Sequence, residues 1–193
     1  TYFGGPALCM DAVNGLLGLD VRLYAEINLE NLVKAVDAIG GIEVEIFEDE
    51  VDGINAFISA IPPFNLPLIS AGINRLDGNQ TWAFAGSREA SDQTTRANQD
   101  RNSRQMRLIA GVLNQAKASS MKEIMELVKQ VLPLIHTNIS LMEALALLPA
   151  ALQADLSELA YQYSPITPYL IRTVDMHRVV IPESLEAEVD AVR

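Results

Sequence analysis

The stretch "VRLYAEINLENLVKAVDAIGGIEVEIF", Val21 to Phe47, changes its period twice. Val21 to Ile27 alternates in the manner of a strand. From Leu29 the apolar residues fall at Leu32, Val33, Val36 and Ile39, which is one face of a helix. Asn28 is placed to cap that helix, and Gly40 and Gly41 to stop it. Ile42 to Phe47 alternates apolar and acidic residues and predicts a second strand. Strand, helix and strand within 27 residues predict a crossover unit with both strands in one sheet.

Working outward, "PALCMDAVNGLLG" predicts a helix with Pro6 in its first turn and Gly18 after its last. "EDEVDGINAFISA" predicts a short helix, and the prolines of "IPPFNLPLISAG" a loop. Asp77 is the expected cap of a helix through "GNQTWAFAGS", followed by a loop and a helix from Asn98 to Ala118. Ser120 with Glu123, and Ser140 with Glu143, read as two capping boxes. They open helices at "MKEIMELVKQVL" and "LMEALALLPAAL". "SELAYQY" fits helix or strand. Met176 to Ile181 predicts a last strand, and "ESLEAEVDAV" a last helix. Together these predict an α/β fold: an α-β-α sandwich around a central mixed β-sheet.

The chain has 193 residues, 49% hydrophobic and 20% charged, the size and composition of one globular domain. Cys9 has no partner cysteine and, in "PALCM", is expected in the core. No run reaches the roughly 18–20 apolar residues of a membrane span. No signal peptide is visible, and the opening "TYFGG" reads as a piece of something longer.

The net charge is −11, yet five of the ten arginines, Arg88, Arg96, Arg101, Arg104 and Arg107, fall within twenty residues and with no lysine among them. On a helical wheel of about 100° per residue, Met106, Ile109, Val112, Leu113 and Ala116 define the expected buried side of the helix from Asn98. Arg101 and Gln105 then border it, and Arg107 faces water. Guanidinium forks bind phosphate in bidentate fashion, and a helix N-terminus adds donors. The same residues also suit a solvated face paired with Glu89, Asp92 and Asp100. Residue chemistry alone leaves both readings open.

"LDGNQTWAFAGSR…DRNSRQ" resembles the L-D-G-x-x-A-L-x-Y-x-R-x-R…R-x-x-R-Q segment of the LytR-CpsA-Psr family. "YFGGP" is similar to that family's A-Y-x-x-G-G, and "NLVKAVDAIGGIEVEI" to its f-x-x-l-V-D-x-l-G-G-V-x-V. "HTNIS" (His136 to Ser140) is similar to a family T-N-[IL] step. The order and spacing agree from Thr1 to about Leu148. The resemblance implies a bacterial cell-envelope phosphotransferase. Such an enzyme moves a glycopolymer (wall teichoic acid, capsule or a related polymer) from a polyprenyl (pyro)phosphate carrier onto peptidoglycan. It implies an extracytoplasmic domain anchored by an N-terminal membrane helix, with magnesium at the pyrophosphate. Older usage calls such proteins transcriptional attenuators.

Carried over residue by residue, the resemblance makes Arg88, Arg101 and Gln105 the catalytic set, with Arg96 and Arg104 as further phosphate contacts. Gly86 stands where the family has the first arginine of R-x-R, and Asn98 where it has an aspartate. The family's metal-ligating aspartates precede this segment. Magnesium ligands are therefore expected in an earlier part of the family domain, and this chain alone is expected to be inactive.

His136 and His177 lack metal-spaced partners and read as ordinary histidines. Trp82 and Phe84 read as core. The apolar helices from Met121 to Leu152 suit either core or a prenyl pocket. Asn138-Ile139-Ser140 reads as a helix cap rather than a glycosylation site. Two other functions remain open. One is a weakened module that binds polyprenyl phosphate without transfer, which Gly86 and Asn98 favour. The other is a DNA-binding regulator, which the acidic charge disfavours, and nucleic acid is not an expected partner.

Overall fold

The computed structural model describes residues 4–87, 95–154, 169–174 and 177–192. The elements in chain order are α1 (Gly5–Leu17), β1 (Ala25–Glu26), α2 (Leu29–Ala38), β2 (Ile42–Ile46), α3 (Val51–Ala60), β3 (Gly72–Leu76), α4 (Gly78–Gly86) and α5 (Thr95–Lys117). They continue with α6 (Met121–Val131), β4 (His136–Thr137), α7 (Leu141–Gln153), β5 (Tyr169–Val174), β6 (His177–Pro182) and α8 (Leu185–Val192). The fold is of the α/β class. It divides into two compact units: Ala25–Ser157, and Thr1–Tyr24 with Glu158–Arg193.

In the larger unit, α2 forms as its sequence dictates. The Asn28 side chain accepts the Asn31 N–H at 2.8 Å. The helix ends where Gly40 and Gly41 take φ of 77° and 91°, a region glycine enters without strain. Strand β2 then turns Ile42, Val44 and Ile46 inward and Glu43 and Glu45 outward. Its partner is β3, antiparallel, in the register Ile42 to Leu76 and Ile46 to Gly72. The core collects Val36, Ile54, Ile58, Ile61, Ile69, Phe84 and Leu108 against the inner face of β2.

The expected crossover is not formed. Ala25–Glu26 pairs with β4, so the segments Val21–Ile27 and Ile42–Phe47 lie in different sheets or none. Val21 has no strand partner because the Asn14 side chain takes its place. The amide of Asn14 donates to the Val21 carbonyl at 2.8 Å, and its oxygen accepts the Val21 N–H at 2.7 Å. Among the described residues every pairing is antiparallel and every sheet has two strands, where one mixed sheet was expected. Strand β3 was not anticipated: the expected loop ends at Gly72 and the next expected element begins at Asp77. Its five residues bury only Leu76 fully, so the sequence shows no strong alternation.

In the smaller unit, α1 packs with α8, and β5 and β6 form a hairpin. Cys9 is exposed, against the expectation of a core residue. No residue of α1 is buried, so its apolar run reaches solvent. "SELAYQY" lies outside the described residues. Among the described residues no helix is long and apolar enough to cross a membrane.

Candidate functional site

The site is built where α4, α5 and the end of β2 meet. Helix α4 starts at Asp77, whose carboxylate accepts the Gln80 N–H at 2.8 Å while the Gln80 side chain accepts the Asp77 N–H at 3.0 Å. Thr81, Ala83 and Phe84 are completely buried. Trp82 is half-buried and meets Phe57 edge-on, with ring centroids 6.2 Å apart. Ser87 closes the helix, its N–H bonded to the Ala83 carbonyl at 2.8 Å.

Helix α5 begins at Thr95, three residues before the expected start, so Arg101 sits in its second turn. Its docking face is nearly opposite to the one the apolar pattern indicates. Arg104 and Leu108 are 6% and 7% exposed, whereas Ile109 and Val112 are 49% and 41% exposed. The reason is shape and polarity. Gly111 lets the helix backbone lie against β2: a Cβ there would come within 2.7 Å of the Glu43 carbonyl oxygen. The arginines find partners on the same side, where Leu108 joins the core.

Arg104, expected as a further phosphate contact, is buried among protein oxygens. Its Nε donates to the Phe84 carbonyl at 2.8 Å, a terminal nitrogen donates to the Ser87 carbonyl, and the other lies 3.5 Å from Glu50 Oε1. Arg107 does not face water either. It donates to the Glu45 carbonyl at 2.7 Å and pairs with Glu50. Its guanidinium carbon lies 4.4 Å from the Phe47 ring centroid and 5.0 Å from that of Phe84, inside cation–π range. Glu50 Oε2 accepts the Phe47 N–H at 3.1 Å. One largely buried carboxylate thus faces two guanidinium groups.

Arg101 is half-buried on the same helix, three residues before Arg104, and Gln105 is exposed. Arg88 lies outside the described residues. Only the backbone of Arg96 is described, in the first turn of α5. The structure therefore brings Arg104 and Arg107 together around Glu50. That carboxylate was missed because "EDEVDGINAFISA" reads only as a short helix with an acidic start. Its one signal was an acidic triplet next to a strand in a chain that clusters its arginines elsewhere. Among the described residues no three His, Cys, Asp or Glu side chains gather as a metal-ligand group.

The resemblance sets Gly86 at the place of a family arginine. A Cβ there would lie 3.6 Å from Trp82 and 3.7 Å from Phe57, so the position faces an aromatic pair. Further along, α7 buries no residue, and Met142 and Leu147 are 74% and 47% exposed.

The LytR_cpsA_psr family matches residues 1–186. A polyisoprenyl-teichoic acid–peptidoglycan teichoic acid transferase TagU of Oceanobacillus iheyensis is 29% identical over 117 residues, 61% of this chain and 32% of that protein. The TagU of Enterococcus faecalis is 28% identical over 140 residues, 72% of this chain and 41% of that protein. The chain thus spans about a third to two fifths of the length of these curated relatives. Among solved structures, TagV of B. subtilis superposes with a TM-score of 0.70 at 18% identity, covering 98% of this chain and 69% of that one, a likeness of fold.

Proposed function

Since the chain belongs to the LytR-CpsA-Psr family, we propose that it is part of a cell-envelope transferase. That enzyme passes a glycopolymer such as teichoic acid or capsule from a polyprenyl (pyro)phosphate carrier to peptidoglycan, outside the cytoplasm and anchored to the membrane. The observation that carries the reading is Arg104. It ties the C-terminal carbonyls of α4 to α5, so the segment leading into Arg88 and the helix bearing Arg101 are held to each other.

In this reading Arg88 and Arg101 grip the phosphate oxygens, and Gln105 and Arg96 contact the carrier or the polymer. Chemistry of this class depends on positioning and on charge stabilisation at the phosphoryl group. The exposed apolar side chains of α7 offer a surface for the prenyl tail. Magnesium at the pyrophosphate would screen phosphate charge.

A second reading, a module that binds without transferring, draws on Gly86 and Asn98, which supply no guanidinium and no carboxylate where the resemblance sets an arginine and an aspartate. Titration calorimetry with pyrophosphate tests the shared premise. Binding at about millimolar affinity is expected, weakened in Arg88→Ala and Arg101→Ala and unchanged in Arg75→Ala. Equal binding by all of them would remove the phosphate site. Adding a polyprenyl-pyrophosphate glycan and peptidoglycan separates the two readings. Transfer by the intact parent protein supports the enzyme, and binding without transfer supports the module.

A further inference from the structure

We infer that Arg104 and Glu50 are a positioning pair that holds α5, and with it Arg101, against the end of α4, and that Arg104 is not itself a phosphate ligand. The inference rests on the phosphate-site reading but draws on different atoms. All three guanidinium nitrogens of Arg104 are directed at protein oxygens: Phe84 O, Ser87 O and Glu50 Oε1. Its side chain is 7% exposed. The two carbonyls belong to the end of α4, where helix carbonyls lack intrahelical donors and where the helix dipole favours a cation.

Arg101 rides on the same helix as Arg104, three residues earlier. The guanidinium on the Phe84 and Ser87 oxygens thus holds the helix that bears Arg101 against the end of α4.

Glu50 supplies the other half. It is anchored to the end of β2 through the Phe47 N–H at 3.1 Å and holds Arg104 and Arg107 on its other oxygen. The route runs from the sheet through Glu50 and Arg104 to the end of α4. Lysine at 104 would keep the charge but could not bridge two carbonyls and a carboxylate in one plane.

The test compares Arg104→Lys, Glu50→Gln and Glu50→Asp with Leu108→Ala, which removes buried apolar contact from the same helix. Hydrogen exchange is read at the Ser87 and Gly86 amides, and pyrophosphate binding by calorimetry. Arg104→Lys and Glu50→Gln should raise exchange there about tenfold and weaken pyrophosphate about fivefold or more. Glu50→Asp should recover part of both, and Leu108→Ala should leave affinity unchanged in its folded fraction. If Arg104→Lys does not fold, the Glu50 variants carry the test. Unchanged exchange at Ser87 overturns the inference. So does faster exchange with unchanged affinity where Arg101→Ala does weaken binding, since Arg104 is then structural only. Faster exchange in a chain that binds no pyrophosphate overturns the phosphate reading and leaves the positioning pair standing.

Discussion

Asp37 Oδ1 accepts the backbone N–H of Gly78 at 2.8 Å, across 41 residues. Asp37 belongs to "VDAIGG" and Gly78 to "LDG", two of the segments that carry the family resemblance. The bond joins the C-terminal half of α2 to the first turn of α4, and it satisfies an amide that no helix carbonyl can reach. The helices touch so closely there that a Cβ on Gly78 would stand 2.4 Å from the Val33 carbonyl oxygen.

Gly78→Ala should therefore destabilise the larger unit by about 3 kcal/mol, because the clash is with backbone and neither helix can give way cheaply. Gly53→Ala is the matched control: it lies in α3 with nothing within 4 Å of its added Cβ. It should be neutral or stabilise by up to about 1 kcal/mol. Urea midpoints of the two variants check this, and equal shifts would refute the close approach.

The docking face of α5 gives a second prediction. Leu108→Ala should cost about 2–4 kcal/mol, as a buried leucine does. Ile109→Ala, one residue on but 49% exposed, should cost under about 0.5 kcal/mol. Reversed costs would restore the face inferred from the apolar pattern.

What the sequence made legible was local. Asn28, Asp77, Ser120 and Ser140 were identifiable as caps because each accepts an N–H three residues ahead. The glycine stop of α2 was legible because glycine enters the positive-φ region that Gly40 and Gly41 occupy. The partner of β2 was not, since β3 lies about thirty residues away and shows little alternation of its own. Nor was the orientation of α5. Hydrophobic periodicity assumes that apolar residues point inward. Here the inward side holds Arg104, whose desolvation is offset by an acidic residue 54 positions earlier and by two carbonyls. Arg88 was assigned through the resemblance and lies outside the described residues.

Arg107 offers a third prediction. It is held by Glu45, Glu50 and two aromatic rings. Arg107→Lys keeps the charge but loses the planar stack, and should cost about 1–2 kcal/mol. A double-mutant cycle with Phe47→Leu should return a coupling of about 0.5–1 kcal/mol, since Phe47 is itself partly exposed. A coupling near zero would show that the ring contact contributes nothing.

The last prediction concerns acid. Glu123 and Glu143 each close a capping box, and each has its carboxyl held below the ordinary glutamate range. The largest cause is the hydrogen bond from the serine side chain, and the serine backbone N–H adds to it. In the box of α6, the Ser120 hydroxyl and N–H both donate to Glu123 Oε2 at 2.7 Å. In the box of α7, the Ser140 hydroxyl and N–H donate to Glu143 Oε2 at 2.6 and 2.8 Å. A depressed folded-state value means that the unfolded chain binds more protons in that range, so stability rises with pH there. The contribution is fully present above the ordinary glutamate value and is lost as the pH falls through the lower, folded one. The gap in stability between the parent chain and the Glu123→Gln, Glu143→Gln double variant should accordingly be widest near neutral pH and close in acid. Urea unfolding at a series of pH values reads this directly, and a gap that stayed constant into acid would mean that the ionised carboxylates do not stabilise these helix starts.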